Sequence, residues 1–373
     1  MKSNNITYLP GVDHLRAFAA VWILAYHAFH LVGYALRFHQ PFTFENYLHS
    51  DNPLIALVLE GHTAVALFMT LSGFIFAYGA YGAHVRFVPF MANRLLRIYP
   101  VYLFLLWIAV SVAPASVTLP AMAETLLPLA NLPSAFHVEP YTDMFWAVAV
   151  EFQFYLLFPM LAAVTERRGV RVLIGVIVLA LAVRVLIVAF GGNAREVSYW
   201  TFFGRVDQFL LGMIAARVYV RLMPSARQAL LIGAPALLIA CGGLVGFHHL
   251  GGWVNVAWWR ILWTTGEGIV WAVCIVCYLP LAARLPGVID TALQWVGTRS
   301  FSIYMLHMIV IHAVIQQGWL ISGTGLFKLL AANFLFIILP LTVAIAALSF
   351  VVLERPFLDL RRKYLVPNDA MPA

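Results

Sequence analysis

The 373-residue chain is 63% hydrophobic and only 10% charged, and its formal net charge is +7. An average soluble domain has about 45–50% apolar and about 25% charged residues, so this composition excludes an ordinary soluble protein. A basic chain can bind nucleic acid, but only if its Lys and Arg residues form a continuous surface, and their positions decide that question.

Apolar segments long enough to cross a membrane recur along the whole sequence. About 20 apolar residues cross a hydrocarbon core of about 30 Å as a helix. Hydropathy predicts ten such spans, at residues 13–37, 54–82, 98–115, 144–164, 172–190, 200–220, 229–247, 260–282, 300–320 and 327–353. We therefore expect an all-α, polytopic integral membrane protein in which residues 1–373 form a single transmembrane domain. The first apolar run is too long for a signal peptide, so we expect it to remain as a helix.

The distribution of basic residues predicts the orientation of these spans. If the N-terminus is cytoplasmic, seventeen of the 23 Lys and Arg residues lie in cytoplasmic segments, four lie outside, and Arg184 and Arg205 lie within spans. Because basic residues collect in cytoplasmic loops, this asymmetry predicts that both termini are cytoplasmic, in a multi-pass protein of the plasma (inner) membrane. The basic residues are also divided among many short loops and form no continuous basic surface, which argues against nucleic-acid binding.

The first predicted span carries three ionisable residues, Asp13, Arg16 and His27. Such groups inside a membrane are costly and mark candidate functional sites. Arg16 and His27 are eleven residues apart, which places them on one helix face about 16 Å apart along the axis. Arg16 is suited to binding a phosphate, and His27 can act as a base, a proton relay, a metal ligand or a packing residue. The two residues cannot touch, but one elongated ligand could contact both.

A carboxylate, Glu151, lies among aromatic and aliphatic residues of the fourth predicted span. One interpretation is an ion pair with an Arg that joins two helices, because structural pairs also account for buried charges. The other is that Glu151 orients or charges a catalytic group such as His27 or His307. Arg205 and Asp207 in the sixth predicted span allow the same two interpretations.

The three cysteines predict neither a metal site nor redox chemistry. Cys274 and Cys277 form a C-x-x-C pair, but this pair and Cys241 lie inside apolar runs, and the sequence has no second pair. Buried free cysteines usually behave as small hydrophobic residues, so we expect these three to pack between helices.

Seven short motifs follow one another along the chain, and each combines polar residues with a predicted span or its end. They are Arg16 with His27; Phe68, Ser72, Gly73 and Phe74; Arg94, Arg97, Ile98, Tyr99 and Pro100; Trp146, Glu151, Phe154, Tyr155 and Pro159; Arg205, Asp207 and Gly212; Ser302, Tyr304 and His307; and Glu354, Arg355 and Pro356. In this order they resemble the motifs of the acyltransferase-3 family of membrane O-acyltransferases, whose members transfer acyl groups, often acetyl, to sugars of surface polysaccharides and to other acceptors. Ala147 and His14 depart from the family pattern, where Ser and Gly are usual.

The resemblance implies a role for each matched residue. It implies a cytosolic acyl-coenzyme A donor, with acetyl-coenzyme A as the simplest case, and no metal. The acceptor is a hydroxyl of a glycan, a lipid-linked glycan or a small molecule, within a membrane lipid environment. The implied catalytic residues are His27, Glu151 and Asp13; the donor-binding residues are Arg16, Arg94, Arg97, Ser72 and Tyr155; and the acceptor-binding residues are Arg205, Asp207, Ser302, Tyr304 and His307.

The charge pattern fits this donor independently. Arg16, Arg94 and Arg97 all lie on the predicted cytoplasmic side, where they could hold the phosphates of a polyanion while its thin arm runs inward toward His27. At that depth His27 could deprotonate an acceptor hydroxyl or take the acyl group itself.

The main alternative is a proton-coupled secondary transporter of a small or sugar-like solute. In it, Arg16, His27, Glu151 and His307 would line a path for protons and solute. No inverted repeat or matched pair of broken spans supports this alternative. A noncatalytic scaffold does not explain so many buried charges.

Overall fold

The computed structural model describes residue 5 and residues 7–38, 42–43 and 47–367, and this part of the chain is almost entirely helical. The helices are, in chain order, α1 Pro10–Phe38, α2 Pro53–Leu59, α3 Thr63–Gly79, α4 Phe87–Val112, α5 Leu119–Leu126, α6 Phe145–Arg168, α7 Arg171–Ala189, α8 Ala194–Trp200, α9 Phe202–Leu222, α10 Ala226–His249, α11 Arg260–Ala282, α12 Gly287–Thr298, α13 Ser300–Gln316, α14 Leu326–Asn333, α15 Leu339–Ser349 and α16 Arg355–Leu358. Single π-helical turns at Phe334–Ile338 and Phe350–Glu354 join the last three helices. The all-α class is confirmed.

Seven helices of the described chain are long and apolar enough to cross a membrane. They are α1, α4, α6, α7, α10, α11 and the continuous run Leu326–Leu358. Two bent pairs pass the same test when each is taken as one span, α2 with α3 at 63° and α12 with α13 at 67°, which brings the number to nine. The protein is therefore a polytopic integral membrane protein.

The remaining predicted span, at residues 200–220, corresponds to α9. This helix has 21 residues but carries Arg205, Asp207, Arg217 and Arg221, so it is not apolar enough to be identified as a span by composition. Its central residues are nevertheless buried between other helices. The number of ten spans and the cytoplasmic position of both termini stay predictions.

Local sequence signals explain where several helices begin and end. The Asn52 side chain accepts hydrogen bonds from the Leu54 and Ile55 amides and caps α2, whose first residue is Pro53. Thr201 caps α9 in the same way. Such side chains satisfy amide groups that have no partner within the helix. Gly169 ends α6 with a φ of 77°, a backbone conformation that glycine adopts without strain.

Glycines bring α3 and α9 into backbone contact. A Cβ atom at Gly73 would lie 1.9 Å from the Phe209 carbonyl oxygen, and one at Gly212 would lie 2.0 Å from the Thr70 carbonyl oxygen. No larger residue fits at either position unless the helices separate. The crossing places Ser72, which precedes Gly73, in the core of the helix bundle.

A buried ion pair joins α7 to α9. Arg184 Nη2 lies 2.6 Å from Asp207 Oδ2, and both side chains are fully buried. Arg184 also donates hydrogen bonds to the carbonyl oxygens of Phe203 and Ile261 and to the Thr264 hydroxyl. Because the ion pair and these hydrogen bonds join residues of all three helices, this cluster holds α7, α9 and α11 together.

The C-terminal segment returns to the start of α4. Strand β1 (Ala83–Val85) pairs antiparallel with strand β2 (Leu365–Pro367). The Asn93 side chain exchanges two hydrogen bonds with the Arg362 backbone, at 2.7 and 2.8 Å. These contacts hold Arg361 and Tyr364 next to the N-terminal end of α1, where both line a cavity.

Candidate active site

Two histidines meet in the interior of the helix bundle, one from α1 and one from α13. His27 Nδ1 lies 2.9 Å from His307 Nε2 and 3.1 Å from the carbonyl oxygen of Ile23. His307 Nδ1 lies 2.7 Å from the carbonyl oxygen of Tyr304. His307 is fully buried, whereas His27 keeps partial exposure. The structure thus pairs residues that are 280 positions apart in the sequence.

The contacts of this pair determine its hydrogen positions. Because a carbonyl oxygen only accepts, His307 Nδ1 must carry a hydrogen that it donates to Tyr304, which leaves His307 Nε2 as an acceptor. His27 Nδ1 must then carry the hydrogen that it shares between His307 Nε2 and the Ile23 carbonyl. The remaining nitrogen, His27 Nε2, has a free lone pair, which is the form that a base or a nucleophile requires.

A cavity of about 110 Å³ is lined by seven of the predicted site residues. These are Arg16, Ser72, Arg94, Arg97, Glu151, Tyr155 and Tyr304. Neither histidine of the pair lines it, but Tyr304 does, and the Tyr304 ring lies 5.8 Å from the His307 ring. A second cavity, of about 180 Å³, shares Arg16, Arg94 and Arg97 with the first and adds Tyr8, Asp13 and Arg361. The predicted donor-binding residues therefore lie together, and the three arginines stand where the two cavities meet.

The three arginines are held in different ways. Arg16 Nη1 donates to Asp13 Oδ1 at 3.2 Å, and Asp13 also accepts a hydrogen bond of 2.9 Å from the Tyr8 hydroxyl. Arg94 lies over the Phe76 ring at 4.7 Å, and its Nε atom is buried without a hydrogen-bond partner. In the part of the chain that the structure describes, no carboxylate lies within ion-pair distance of Arg94, so its charge is available to an anion.

Arg97 is oriented by a carboxylate from the far end of the chain. Its Nη1 donates to Glu354 Oε2, and the Ser302 hydroxyl donates to Glu354 Oε1. Ser302 lies 3.0 Å from the Ser349 hydroxyl as well, and Glu354 is fully buried. Ser302 was predicted to bind the acceptor, but the structure places it in this network and not among the residues that line either cavity.

Glu151 occupies the wall of the first cavity. Its Oε1 accepts a hydrogen bond of 2.5 Å from the Ser72 hydroxyl. Across the described ranges, no hydrogen bond or ion pair joins Glu151 to His27, to His307 or to an Arg. The described residues therefore show neither of the two direct contacts considered for Glu151, an ion pair with an Arg or a hydrogen bond to a histidine. The residue that orients His27 is His307.

The remaining predicted residues lie apart from the histidine pair, and of them only Asp13 lines a described cavity, the second. Asp13 is fourteen residues from His27 on α1, about 21 Å along the helix axis, and it contacts Arg16. Arg205 lies over the Tyr199 ring at 4.2 Å and is 4.0 Å from Glu267. Asp207 is paired with Arg184. A direct part of Arg205 or Asp207 in acceptor binding stays a prediction.

Sequence reasoning missed two groups of polar residues. Glu354 was quoted only as part of a motif, although a carboxylate next to a span end is a signal for a buried partner. The other group surrounds Glu60, which is fully buried, accepts from His248 at 2.7 Å and lies 3.1 Å from His62. Glu60 falls inside the predicted span 54–82, and an ionisable residue within a span is itself the signal that indicates a buried polar site.

Two further clusters have the side-chain types of a metal site. In the described residues, the ligand atoms of His49, Asp51 and His249 lie within 4.8 Å of one another, and so do those of Glu139, Asp143 and His312. Neither cluster includes a residue that lines either of the two cavities described above or belongs to the histidine pair. Cys274 and Cys277 are free thiols on α11, as expected for packing residues.

Comparison with known proteins gives the chain its relatives. The chain is 25% identical to "Putative peptidoglycan O-acetyltransferase YrhL" of Bacillus subtilis, over an alignment of 398 positions that covers 95% of this chain and 56% of that protein. It is 27% identical to "Acyltransferase MdmB" of Streptomyces mycarofaciens over 44% of this chain and 42% of that protein. It is 24% identical to "O-acetyltransferase OatA" of Staphylococcus aureus over 57% of this chain and 35% of that protein. The chain thus spans about half the length, or less, of these relatives.

No solved structure matches the chain. The sequence profile of the acyltransferase-3 family, described as an acyltransferase domain, matches residues 9–353, which include all the residues of the histidine pair and of the first cavity. On this match the chain belongs to the acyltransferase-3 family.

Proposed function

We propose that this chain is an O-acyltransferase that moves an acyl group, acetyl in the simplest case, from acyl-coenzyme A to a hydroxyl of a cell-envelope glycan or its lipid-linked precursor. The observation that carries the proposal is the His27–His307 pair, which leaves His27 Nε2 free and which Tyr304 connects to a cavity lined by three arginines. Family membership and the printed names of two relatives as O-acetyltransferases support this reaction class. We place the enzyme in the plasma (inner) membrane with the arginines toward the cytoplasm.

The donor enters through the two joined cavities. Arg16, Arg94 and Arg97 neutralise its phosphates, and a guanidinium offers a charged fork that matches a phosphate group. Asp13 and Glu354 hold Arg16 and Arg97 in position. The thin arm of the donor then passes along the first cavity, and its thioester reaches the end of the cavity near Tyr304.

His27 acts as the general base. Its Nε2 takes the proton of the acceptor hydroxyl as the hydroxyl oxygen attacks the thioester carbon, so that a C–O bond forms. The C–S bond then breaks, and the sulfur takes the proton back from His27 Nε2. His307 accepts the His27 Nδ1 hydrogen throughout, and this hydrogen bond orients the ring and stabilises its cationic form.

The acceptor reaches His27 from the side opposite the arginines. We propose that Tyr304 and His307 border this position, since both belong to the turn of α13 that contacts His27. Arg205, Asp207 and Ser302 act as positioning residues, because their polar groups hold α9 and α13 against their neighbours.

The test of this mechanism is transfer from radiolabelled acetyl-coenzyme A by purified enzyme in liposomes that contain envelope glycan. His27→Ala should lower turnover by roughly 10²–10⁴-fold, the usual contribution of a general base. The matched control is His249→Ala, an exposed position at the end of α10. Full activity of His27→Ala would contradict the mechanism, and label retained covalently on the wild-type enzyme would replace the direct transfer by a covalent intermediate.

Two further measurements test the substrates. Arg16→Ala and Arg94→Ala should each raise the KM for acetyl-coenzyme A, because each removes a charge from the donor cavity. If both variants keep the wild-type KM, the donor binds elsewhere. Mass spectrometry of envelope glycans from cells with and without the gene should show the loss of one acyl group per modified sugar.

A further inference from the structure

The hydroxyl of Tyr304 is buried in the wall of the first cavity and has no partner. Tyr304 is 8% exposed, and its oxygen makes no hydrogen bond in the part of the chain that the structure describes. Buried phenol groups in folded proteins nearly always have a partner, because an unsatisfied one costs about 1–3 kcal/mol. Because Tyr304 lines the first cavity, its unpartnered hydroxyl is available to a molecule that enters the cavity.

The position of Tyr304 relative to the histidine pair gives this hydroxyl its chemistry. Tyr304 and His307 are three residues apart on α13 and thus lie on the same helix face. The Tyr304 carbonyl accepts the His307 Nδ1 hydrogen, so one residue both supports the histidine pair and borders the cavity. Its ring lies 6.1 Å from the Phe68 ring in an edge contact, which limits the movement of the hydroxyl.

Two nearby serine hydroxyls and the carboxylates that they contact are already engaged. Ser72 donates its hydrogen to Glu151, and Ser302 donates its hydrogen to Glu354. The three arginines line both cavities, whereas Tyr304 lines only the first. Tyr304 thus lines the first cavity with a hydrogen-bond donor that has no partner in the described chain, and it lies one helical turn from His307, the residue that contacts His27.

We propose that Tyr304 is a catalytic residue that donates a hydrogen bond to the thioester carbonyl oxygen of the donor. When the acceptor oxygen attacks the carbonyl carbon, the C=O electron pair moves onto this oxygen, and the negative charge is held by the Tyr304 O–H. When the C–S bond breaks, the pair returns to re-form C=O, and Tyr304 keeps its proton throughout. Donors placed at a developing oxyanion stabilise the transition state more than the ground state. This proposal rests on the acyl transfer proposed above.

Tyr304→Phe is a sharp test because it removes one oxygen atom and keeps the ring packing. Loss of one oxyanion donor typically lowers kcat by about 10²–10³-fold, and we expect that range with the KM for acetyl-coenzyme A unchanged. The matched control is Tyr102→Phe, because Tyr102 is equally buried but donates to the Thr125 carbonyl away from the cavities. The control should keep the wild-type kcat. All rates are taken per monodisperse molecule after size-exclusion chromatography, so that loss of folded protein does not count as loss of catalysis.

The outcomes separate this proposal from the one on which it rests. If Tyr304→Phe keeps wild-type kcat while His27→Ala is inactive, the oxyanion role is overturned and the transfer mechanism stands. A raised KM with unchanged kcat would make Tyr304 a ground-state binding residue and would also overturn the role. If His27→Ala and Tyr304→Phe both transfer acetyl at the wild-type rate, the proposed function itself fails.

Discussion

The buried pair of Arg184 and Asp207 allows a direct decision between a structural and a substrate-binding role for Asp207. Asp207→Ala would leave the Arg184 guanidinium without its carboxylate in a fully buried site. It would also remove the acceptor of the Thr265 hydroxyl and of the Gln208 amide. Arg184 would keep its hydrogen bonds to the Phe203 and Ile261 carbonyls.

The magnitude follows from the loss of one partner. Removing one member of a buried ion pair costs about 3–5 kcal/mol, because a charge is left without compensation. The additional lost hydrogen bonds place Asp207→Ala toward the upper half of this range, at about 4 kcal/mol. At roughly 2–4 °C per kcal/mol, the Tm in detergent should fall by roughly 10 °C.

The assay combines thermal unfolding in detergent with acetyl transfer per folded molecule. Asp207→Ala should lower the Tm and leave turnover per folded molecule near the wild-type value. The control is the double variant Arg184→Leu with Asp207→Leu, which should recover most of the lost Tm because apolar residues replace both charges. An unchanged Tm with lost turnover would refute this reasoning and return Asp207 to the acceptor site.

Three other variants test separate parts of the structure. Gly73→Ala should destabilise the protein by about 1–3 kcal/mol, measured as a lower Tm, because its Cβ would overlap the Phe209 carbonyl, and an unchanged Tm would contradict the close crossing. Glu354→Gln should raise the KM for acetyl-coenzyme A more than it lowers kcat, since Arg97 loses its carboxylate partner, and the reverse would place Glu354 in the chemistry. Burial raises the pKa of Asp143 to about 7. The protonated carboxyl therefore contributes its full amount to the free energy of unfolding below about pH 4, and this contribution is lost as the pH rises through 7 and the buried group ionises. Asp143→Asn should therefore raise the Tm at pH 8 and not at pH 4, and an equal effect at both would exclude titration of Asp143 as the cause.

Hydropathy was sufficient to predict most of the helices. The predicted span 260–282 has the same bounds as α11, and 172–190 differs from α7 by one residue at each end. An apolar segment of sufficient length is stable in lipid whichever helix it packs against. Its position can therefore be predicted from the local sequence alone. The bends within 53–79 and 287–316 were not predicted, because they depend on how the short helices pack.

The residues of the candidate site could be predicted from the sequence, but the contacts between them could not. The resemblance brought together seven residues that do line one cavity. It did not indicate that His307 would orient His27, or that Glu354 would orient Arg97 across 257 positions. Helical periodicity assigns residues to a face of their own helix, but the rotation of that face toward another helix is a tertiary property.

Burial of a charged or polar group does not by itself distinguish a structural role from a functional one in this chain. Whether the group has hydrogen-bond partners within the protein helps to separate the two roles. Arg184 and Asp207 are fully buried, and their partners account for their charges, so they bind helices to one another. Arg94 and Tyr304 are placed in a cavity wall, and each keeps a buried polar atom without a partner. Because a folded protein rarely leaves such an atom unsatisfied, the free capacity of these two residues points to the substrate. Within the described residues, Arg184 Nη2 also lacks a hydrogen-bond partner but faces the Asp207 carboxylate, so an unpartnered polar atom supports the proposed donor contacts only where its residue lines a cavity.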